Sequence, residues 1–342
     1  MTDPRVLIVG AGIAGLGAVH ALRAKGVRAD VVERHPQAEA GGTGIYLPAN
    51  AVRALSALGF GDAIRGAGHE IRRQRMLDHR GRVLLDLPID QVWGGLGPSV
   101  AVRHAELRRI LRAGLDGQIV VKTFVSDDAA PYDLVIGADG IRSAVREWVF
   151  PDAAAPRRVG ELAWRFVVDG YDVEHLWCTW QGNGRTFLAV SLGGGYAYCY
   201  ADLTAAAPPA GDWRRLFDGF PETVRSLVAR AGDVHAAAIE EVFLDDVSRG
   251  KTVLIGDAAH AYSPNMAQGA ALALEDGLVL AEHLDDLAGY ARRRVPRARW
   301  VRDQTRRRDR ARHLPPVLRD AALRTIGPRL FKAAFRPLHE PP

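Results

Sequence analysis

Gly10-Ala11-Gly12-Ile13-Ala14-Gly15 constrains this 342-residue chain more than any other segment, because of what flanks it. The β-branched run Arg5 to Val9 comes before. After it, Ile13 to Lys25 place Leu16, Val19 and Leu22 at helical spacing until Gly26 stops the pattern, and Ala29 to Glu33 reads as a second strand. Strand, glycine turn, helix and strand form the opening βαβ unit of a dinucleotide-binding fold. Gly10 permits the tight turn, Gly12 lets a pyrophosphate approach the backbone, and Gly15 allows helix and strand to pack closely. Ala14 belongs to the same phosphate-facing turn, and Glu33, followed by Arg34, stands where a ribose would be held. The motif alone does not choose between NAD and FAD.

Further along, helices are predicted over Asn50 to Leu58, His104 to Ala113 and, as one long element, Gln268 to Leu287. Asp133 to Ile136 and Thr252 to Ile255 read as buried strands. Between them lies a β-rich stretch with strands at Leu162 to Val168, His175 to Gln181, Arg185 to Leu192 and Tyr196 to Ala201, and Gly193-Gly194-Gly195 marks a hairpin. The expected architecture is therefore α/β: a Rossmann-type nucleotide-binding domain interrupted by a β-sheet substrate domain, with C-terminal helices. Its divisions fall at residues 1–158, 159–246 and 247–342.

Composition narrows the class of protein. Between Arg292 and Arg312 stand 11 arginines and two aspartates, a local +9 in a chain whose formal charge is only +5, so the rest is net acidic. Val295, Ala298, Val301 and Thr305 recur there at near-helical spacing, which favours a docked helix over a nucleic-acid site. Two distant cysteines, Cys178 and Cys199, make neither a disulfide scaffold nor a structural zinc site, and no metal is expected. With no signal-peptide pattern and no apolar run long enough to span a bilayer, a cytoplasmic protein is expected.

Two later segments carry a resemblance. Asp133-Leu134-Val135-Ile136-Gly137-Ala138-Asp139-Gly140 through Arg146, and Gly256-Asp257-Ala258-Ala259-His260 with Pro264 and Ala267-Gln268-Gly269, follow the glycine turn in an order similar to that of the FAD-dependent aromatic hydroxylases. Gly44-Ile45-Tyr46-Leu47 with Asn50, Arg103, and Trp164-Arg165 resemble further segments of that family. Where many relatives have Gly-Gln-Gly, this chain has Ala267-Gln268-Gly269, and only 35 residues separate Arg103 from Asp139. The resemblance implies FAD as cofactor, NADH or NADPH as a transient co-substrate, and contacts to FAD from Gly44, Arg103, Val125, Asp139, Asp257, Pro264, Ala267, Gln268, Gly269 and Ala270.

Several of these residues have simpler readings. Asp139 and Asp257 could each cap a helix, His260 could be a packing histidine, and Trp164 and Arg165 could be sheet-face residues. Pro264, Arg165 and His260 are the candidates nearest the chemistry. No obligatory protein nucleophile is expected.

By resemblance, the reaction is monooxygenation of a small aromatic or polyketide-like substrate through a flavin C4a-hydroperoxide, with O2 as co-substrate. Tyr46, Trp164, Phe187, Tyr196, Tyr198 and Met266 are candidate pocket residues. A flavin-dependent halogenase is disfavoured, because Trp177-Cys178-Thr179-Trp180 lacks that group's WxWxIP pattern. A flavin-dependent reductase or oxidase of an alkene or prenyl substrate, and a non-catalytic flavin-binding regulator, stay open.

Overall fold

Val6–Val9, at the centre of a six-stranded sheet, is apolar at every position and buried throughout, as a strand covered on both faces must be. The computed structural model describes residues 4–35, 43–115, 117–153, 155–171 and 175–342. Strand order in this sheet is Ser248–Arg249, Thr252–Leu254, Leu134–Gly137, Val6–Val9, Ala29–Glu33 and Ile119–Val121, all parallel except the short Ser248–Arg249 edge. The register pairs Val9 with both Val32 and Gly137, and Gly137 with Leu254. The carboxyl ends of four strands therefore finish on one line, so the glycine turn, Asp139 and Asp257 follow strands, and Glu33 ends one, along the same edge of the sheet.

A seven-stranded sheet contains the predicted β-rich stretch, in the order His235–Phe243, Arg157–Val168, Tyr196–Thr204, Arg185–Gly193, Leu176–Gln181, Arg73–Asp78 and Val83–Pro88. The last two strands come from the first part of the chain, and Arg73–Asp78 joins Leu176–Gln181 in parallel. Alternation along the strands divides this sheet into two faces. One carries Trp164, Phe166, Cys178, Trp180 and Phe187, sealed by Phe217, Phe220, Val224 and Leu227. The other looks towards the small sheet Gly44–Leu47, Ser99–Arg103 and His69–Ile71.

The helix predicted over Gln268 to Leu287 ends early, at Leu280. Gly269–Leu280 ends, the chain turns, and Leu287–Arg312 begins with the Asp286 carboxylate accepting the Gly289 N–H at 2.8 Å. An N-cap aspartate inside an apolar pattern, with no glycine or proline beside it, left no break for periodicity to detect. As expected, Val295, Ala298, Val301 and Thr305 of the arginine-rich helix are buried. Its guanidinium groups pair with carboxylates elsewhere in the molecule: Arg299 with Asp245, Arg306 with Glu241, and Arg312 with Glu161 and Asp202. No helix among the described residues is long and apolar enough to cross a membrane.

Candidate active site

At the glycine turn, Gly10 has φ +105°, and a methyl group on it would lie 2.4 Å from the Ala138 carbonyl oxygen, so only glycine fits. Gly12 opens the helix Ile13–Ala24 with no side-chain cap, and a Cβ there would meet nothing within 4 Å. Free N–H groups at a helix start beside open space form an anion site. Ala14, buried in the first turn, supports the neighbouring loop, since a Cβ on Gly256 would reach the Ala14 methyl at 2.8 Å. Glu33 accepts the Ala11 N–H at 2.8 Å and the His35 N–H at 2.8 Å, bracing the turn from the next strand, while Arg34 is exposed.

Asp257 follows strand Thr252–Leu254 and starts the short helix Asp257–His260 without capping it. Its carboxylate reaches solvent, and no hydrogen bond to it is found among the described residues. Desolvation raises its pKa, and the nearby His260 partly opposes the shift. An accessible carboxylate without a partner, at the carboxyl end of a parallel strand, has the chemistry to accept hydroxyl donors of a bound cofactor.

Pro264–Met266 then form one turn of 3-10 helix, with Pro264 exposed, and Ala267 follows in the left-handed region at φ +52°. Gln268 is buried and pairs reciprocally with Asn50, the two amides bonded at 2.9 and 3.3 Å. Gly269 and Ala270 begin the twelve-residue helix that follows, which has no side-chain cap and no acid in its first turn. Its free N–H groups favour negative charge by roughly 0.3–1 kcal/mol.

Other candidates have structural partners. Asp139 accepts Ser143 Oγ–H at 2.5 Å and the Ala144 N–H at 2.7 Å, so its carboxylate holds the start of helix Ala144–Val149. His260 is corrected as a chemical candidate. It is buried, and its Nε2–H donates to Asp276 at 2.6 Å inside a network with Arg294 and the Gly256 N–H. Burial depresses its pKa, but the Asp276 carboxylate outweighs that and the net shift is upward.

Gly44 packs against Tyr198, where a Cβ would come within 2.4 Å. Arg103 is exposed over the Tyr196 ring at 4.9 Å, and Val125 is exposed beside the turn Ser126–Ala129. Trp164 stacks on Trp213 with ring centroids 5.1 Å apart, on the sealed sheet face that also buries Phe187, so neither lines a pocket there. Cys178 and Cys199 are free and buried, and burial pushes the Cys178 thiol up to about 12.

The open sheet face brings together what remains. Arg165 pairs in register with Tyr200 and Val167 with Tyr198, while Leu188 and Val190 lie opposite the same tyrosines. The Arg165 guanidinium sits over the Tyr200 ring at 5.5 Å, and it has no carboxylate partner among the described residues. Tyr46 and Met266, from the small sheet and the 264–267 turn, belong to one apolar cluster with Met76, Trp177, Leu188 and Tyr198. Met266 is buried, and the other five side chains are half-buried. Met76, Trp177 and Leu188 are additions to the sequence-derived residues. Strand alternation carries the signal for them, but only register reveals which face is open.

A family model described as "FAD binding domain" matches residues 3–118 and 121–298. The 2-heptyl-3-hydroxy-4(1H)-quinolone synthase of Pseudomonas aeruginosa is 33% identical, covering 88% of this chain and 87% of that protein. The 3-amino-4-hydroxybenzoate 2-monooxygenase of Streptomyces cremeus is 32% identical, covering 92% and 89%. Klebsiella pneumoniae HpxO, solved with FAD and uric acid, superposes with TM-score 0.87 at 25% identity over 98% of this chain and 96% of that one.

Proposed function

Because this chain belongs to the FAD-dependent aromatic hydroxylases and works with FAD, we propose that it inserts one oxygen atom from O2 into a small, electron-rich aromatic or polyketide-like substrate, using NADH or NADPH as reductant. The observation that carries the reading is the apolar cluster of half-buried Tyr46, Trp177, Leu188 and Tyr198 with buried Met266, and the Arg165 guanidinium on the same sheet face. It suits a flat aromatic ring bearing an acidic or carbonyl oxygen.

The residues present fit FAD. An uncapped helix start beside the open space at Gly12 suits its pyrophosphate, and the partnerless carboxylate of Asp257 suits its hydroxyls. When bound, FAD supplies the redox and oxygen chemistry. The protein positions and shields. Gly10, Gly12 and Ala14 shape the phosphate turn, Glu33 braces it, and the N–H groups at Gly269 and Ala270 favour negative charge nearby. Arg165 and Tyr198 orient the substrate by hydrogen bonds, and the aromatic walls exclude water. The substrate unit is residues 159–246 together with strands Arg73–Asp78 and Val83–Pro88. With Cys178 and Cys199 both free, the compartment is the reducing cytoplasm.

The test is to load the protein with FAD and screen small phenols, hydroxyquinolones and hydroxylated heteroaromatics for stimulated NAD(P)H oxidation under labelled O2. A product heavier by one labelled oxygen atom supports the proposal. Stimulated oxidation with no mass gain overturns it in favour of an oxidase or reductase.

A further inference from the structure

Eleven large apolar side chains are exposed among the described residues, and five of them lie between Leu314 and Leu330. Val317 is 81% exposed, Leu318 63% and Leu330 60%. They project from the last two long helices, Pro316–Thr325 and Gly327–Phe335. The inner side of this pair is anchored: Ala334, Phe335 and Leu338 are buried in one cluster with Trp93, Leu87, Ala298 and Val301. Its outer side is an apolar stripe. Val317 and Ala321 lie one turn apart on the first helix, and Ile326, Leu330 and Ala333 continue at helical spacing through the second.

The charge around the stripe has one sign. Between His313 and His339 the sequence holds a single carboxylate, Asp320, which is buried and binds Arg319 at 2.8 Å. Arg324, Arg329 and Arg336 are exposed and form no ion pair among the described residues. This contrasts with the preceding helix, where guanidinium groups are mostly matched by carboxylates.

We propose that the outer face of residues 314–336 docks on the surface of a lipid bilayer rich in anionic headgroups. The exposed Val, Leu and Ile side chains enter the boundary between headgroups and acyl chains, and the three arginines meet lipid phosphates. Charge complementarity selects this occupant over a second copy of the chain. A two-fold contact would bring the same cations face to face with no carboxylate to offset them. The inference goes beyond the catalytic reading and does not depend on it.

The experiment is flotation of the full FAD-loaded protein with vesicles of phosphatidylcholine alone or with about one-third phosphatidylglycerol, at roughly 0.1 M and 0.5 M salt. Binding is expected only to the anionic vesicles and only at the lower salt. Arg324→Gln and Arg329→Gln should each weaken it about fivefold, and Leu318→Ser with Leu330→Ser at least about tenfold, with the flavin spectrum and melting temperature unchanged. The proposal is overturned if the wild-type protein does not float with anionic vesicles, or if binding survives both sets of substitutions. It is equally overturned if, in place of vesicle binding, Leu330→Ser abolishes a concentration-dependent dimer or a complex with an acidic protein.

Discussion

Gly12 and Gly15 stand three residues apart in one turn, yet a methyl group added to each would meet opposite surroundings: nothing within 4 Å at Gly12, and the Gly10 carbonyl oxygen at 1.9 Å at Gly15. Gly12→Ala should leave the melting temperature of the apoprotein unchanged while weakening FAD binding about tenfold or more, read by quenching of flavin fluorescence. Gly15→Ala should destabilise the fold itself by several kcal/mol, about the upper range for overpacking. If Gly12→Ala bound FAD normally, the phosphate assignment would be lost.

Asp257 offers a second handle on the cofactor. With no protein partner found for its carboxylate, Asp257→Ala should cost little stability, within about 0.5 kcal/mol. FAD affinity should drop by about 1.5–3 kcal/mol, the scale of a hydrogen bond to a charged group. A thermal melt and a flavin titration on the same sample separate the two effects. A large stability loss with unchanged affinity would mark the residue as structural.

The buried network gives a prediction in pH. Asp276 is held down to about 2: burial pushes it up, but His260 and Arg294 more than reverse that. Its contribution to stability is present above the unfolded carboxyl value, about 3.9, and fades as pH falls towards 2. His260 is shifted upward, so its contribution is complete below about 6.5 and is lost as pH rises through its folded value. Arg294→Met leaves Glu275 and Asp276 buried without that guanidinium and should cost about 3–5 kcal/mol by denaturant titration.

Asp309 titrates in the opposite sense to Asp276. Burial, with help from Glu161, pushes its carboxyl up to about 7, and it accepts a hydrogen bond from Asn265 in the turn before Gln268. The folded chain therefore binds its proton more tightly than the unfolded one, so stability falls as pH rises from about 4 to 7. Asp309→Asn should remove that slope and stabilise the protein at pH 8 by on the order of 2 kcal/mol. Melting curves at pH 5 and 8 decide it, and an unchanged slope refutes the assignment.

Ala267, at φ +52°, occupies a conformation that costs an alanine about 1–2 kcal/mol. Part of that gain is offset by the extra freedom of glycine in the unfolded chain, so Ala267→Gly should stabilise by somewhat under about 1 kcal/mol. Ala267→Val should destabilise, because β-branched residues tolerate this region worst. The comparison of the two in chemical denaturation isolates backbone strain from any change in cofactor contact.

How far the sequence reaches depends on whether a feature is local. The glycine turn, Glu33 and the two motif segments are short patterns whose backbone demands are visible in residue type. Gly10 shows this most plainly, since its positive φ and its closeness to Ala138 both require glycine. The buried positions of the arginine-rich helix were likewise legible from spacing. Pairings that join distant segments were not. Arg73–Asp78 enters the large sheet beside a strand about a hundred residues later, and no local pattern signals a parallel neighbour. The same limit applies to Trp164 and Arg165. Adjacent in sequence, they point to opposite faces, and only the helices packed behind Trp164 decide which face is open.

The arginine-rich helix bears on how the molecule comes apart. Arg294 and Arg297 bind Glu275 beside the nucleotide edge, while Arg306 and Arg312 bind Glu241, Glu161 and Asp202 on the large sheet. A single rod is thus the counterion of both lobes, although the lobes are interleaved along the chain. Their melting is coupled through it. Calorimetry should show one transition for the intact protein, and a chain ending before Leu287 should lose the melting of both lobes together.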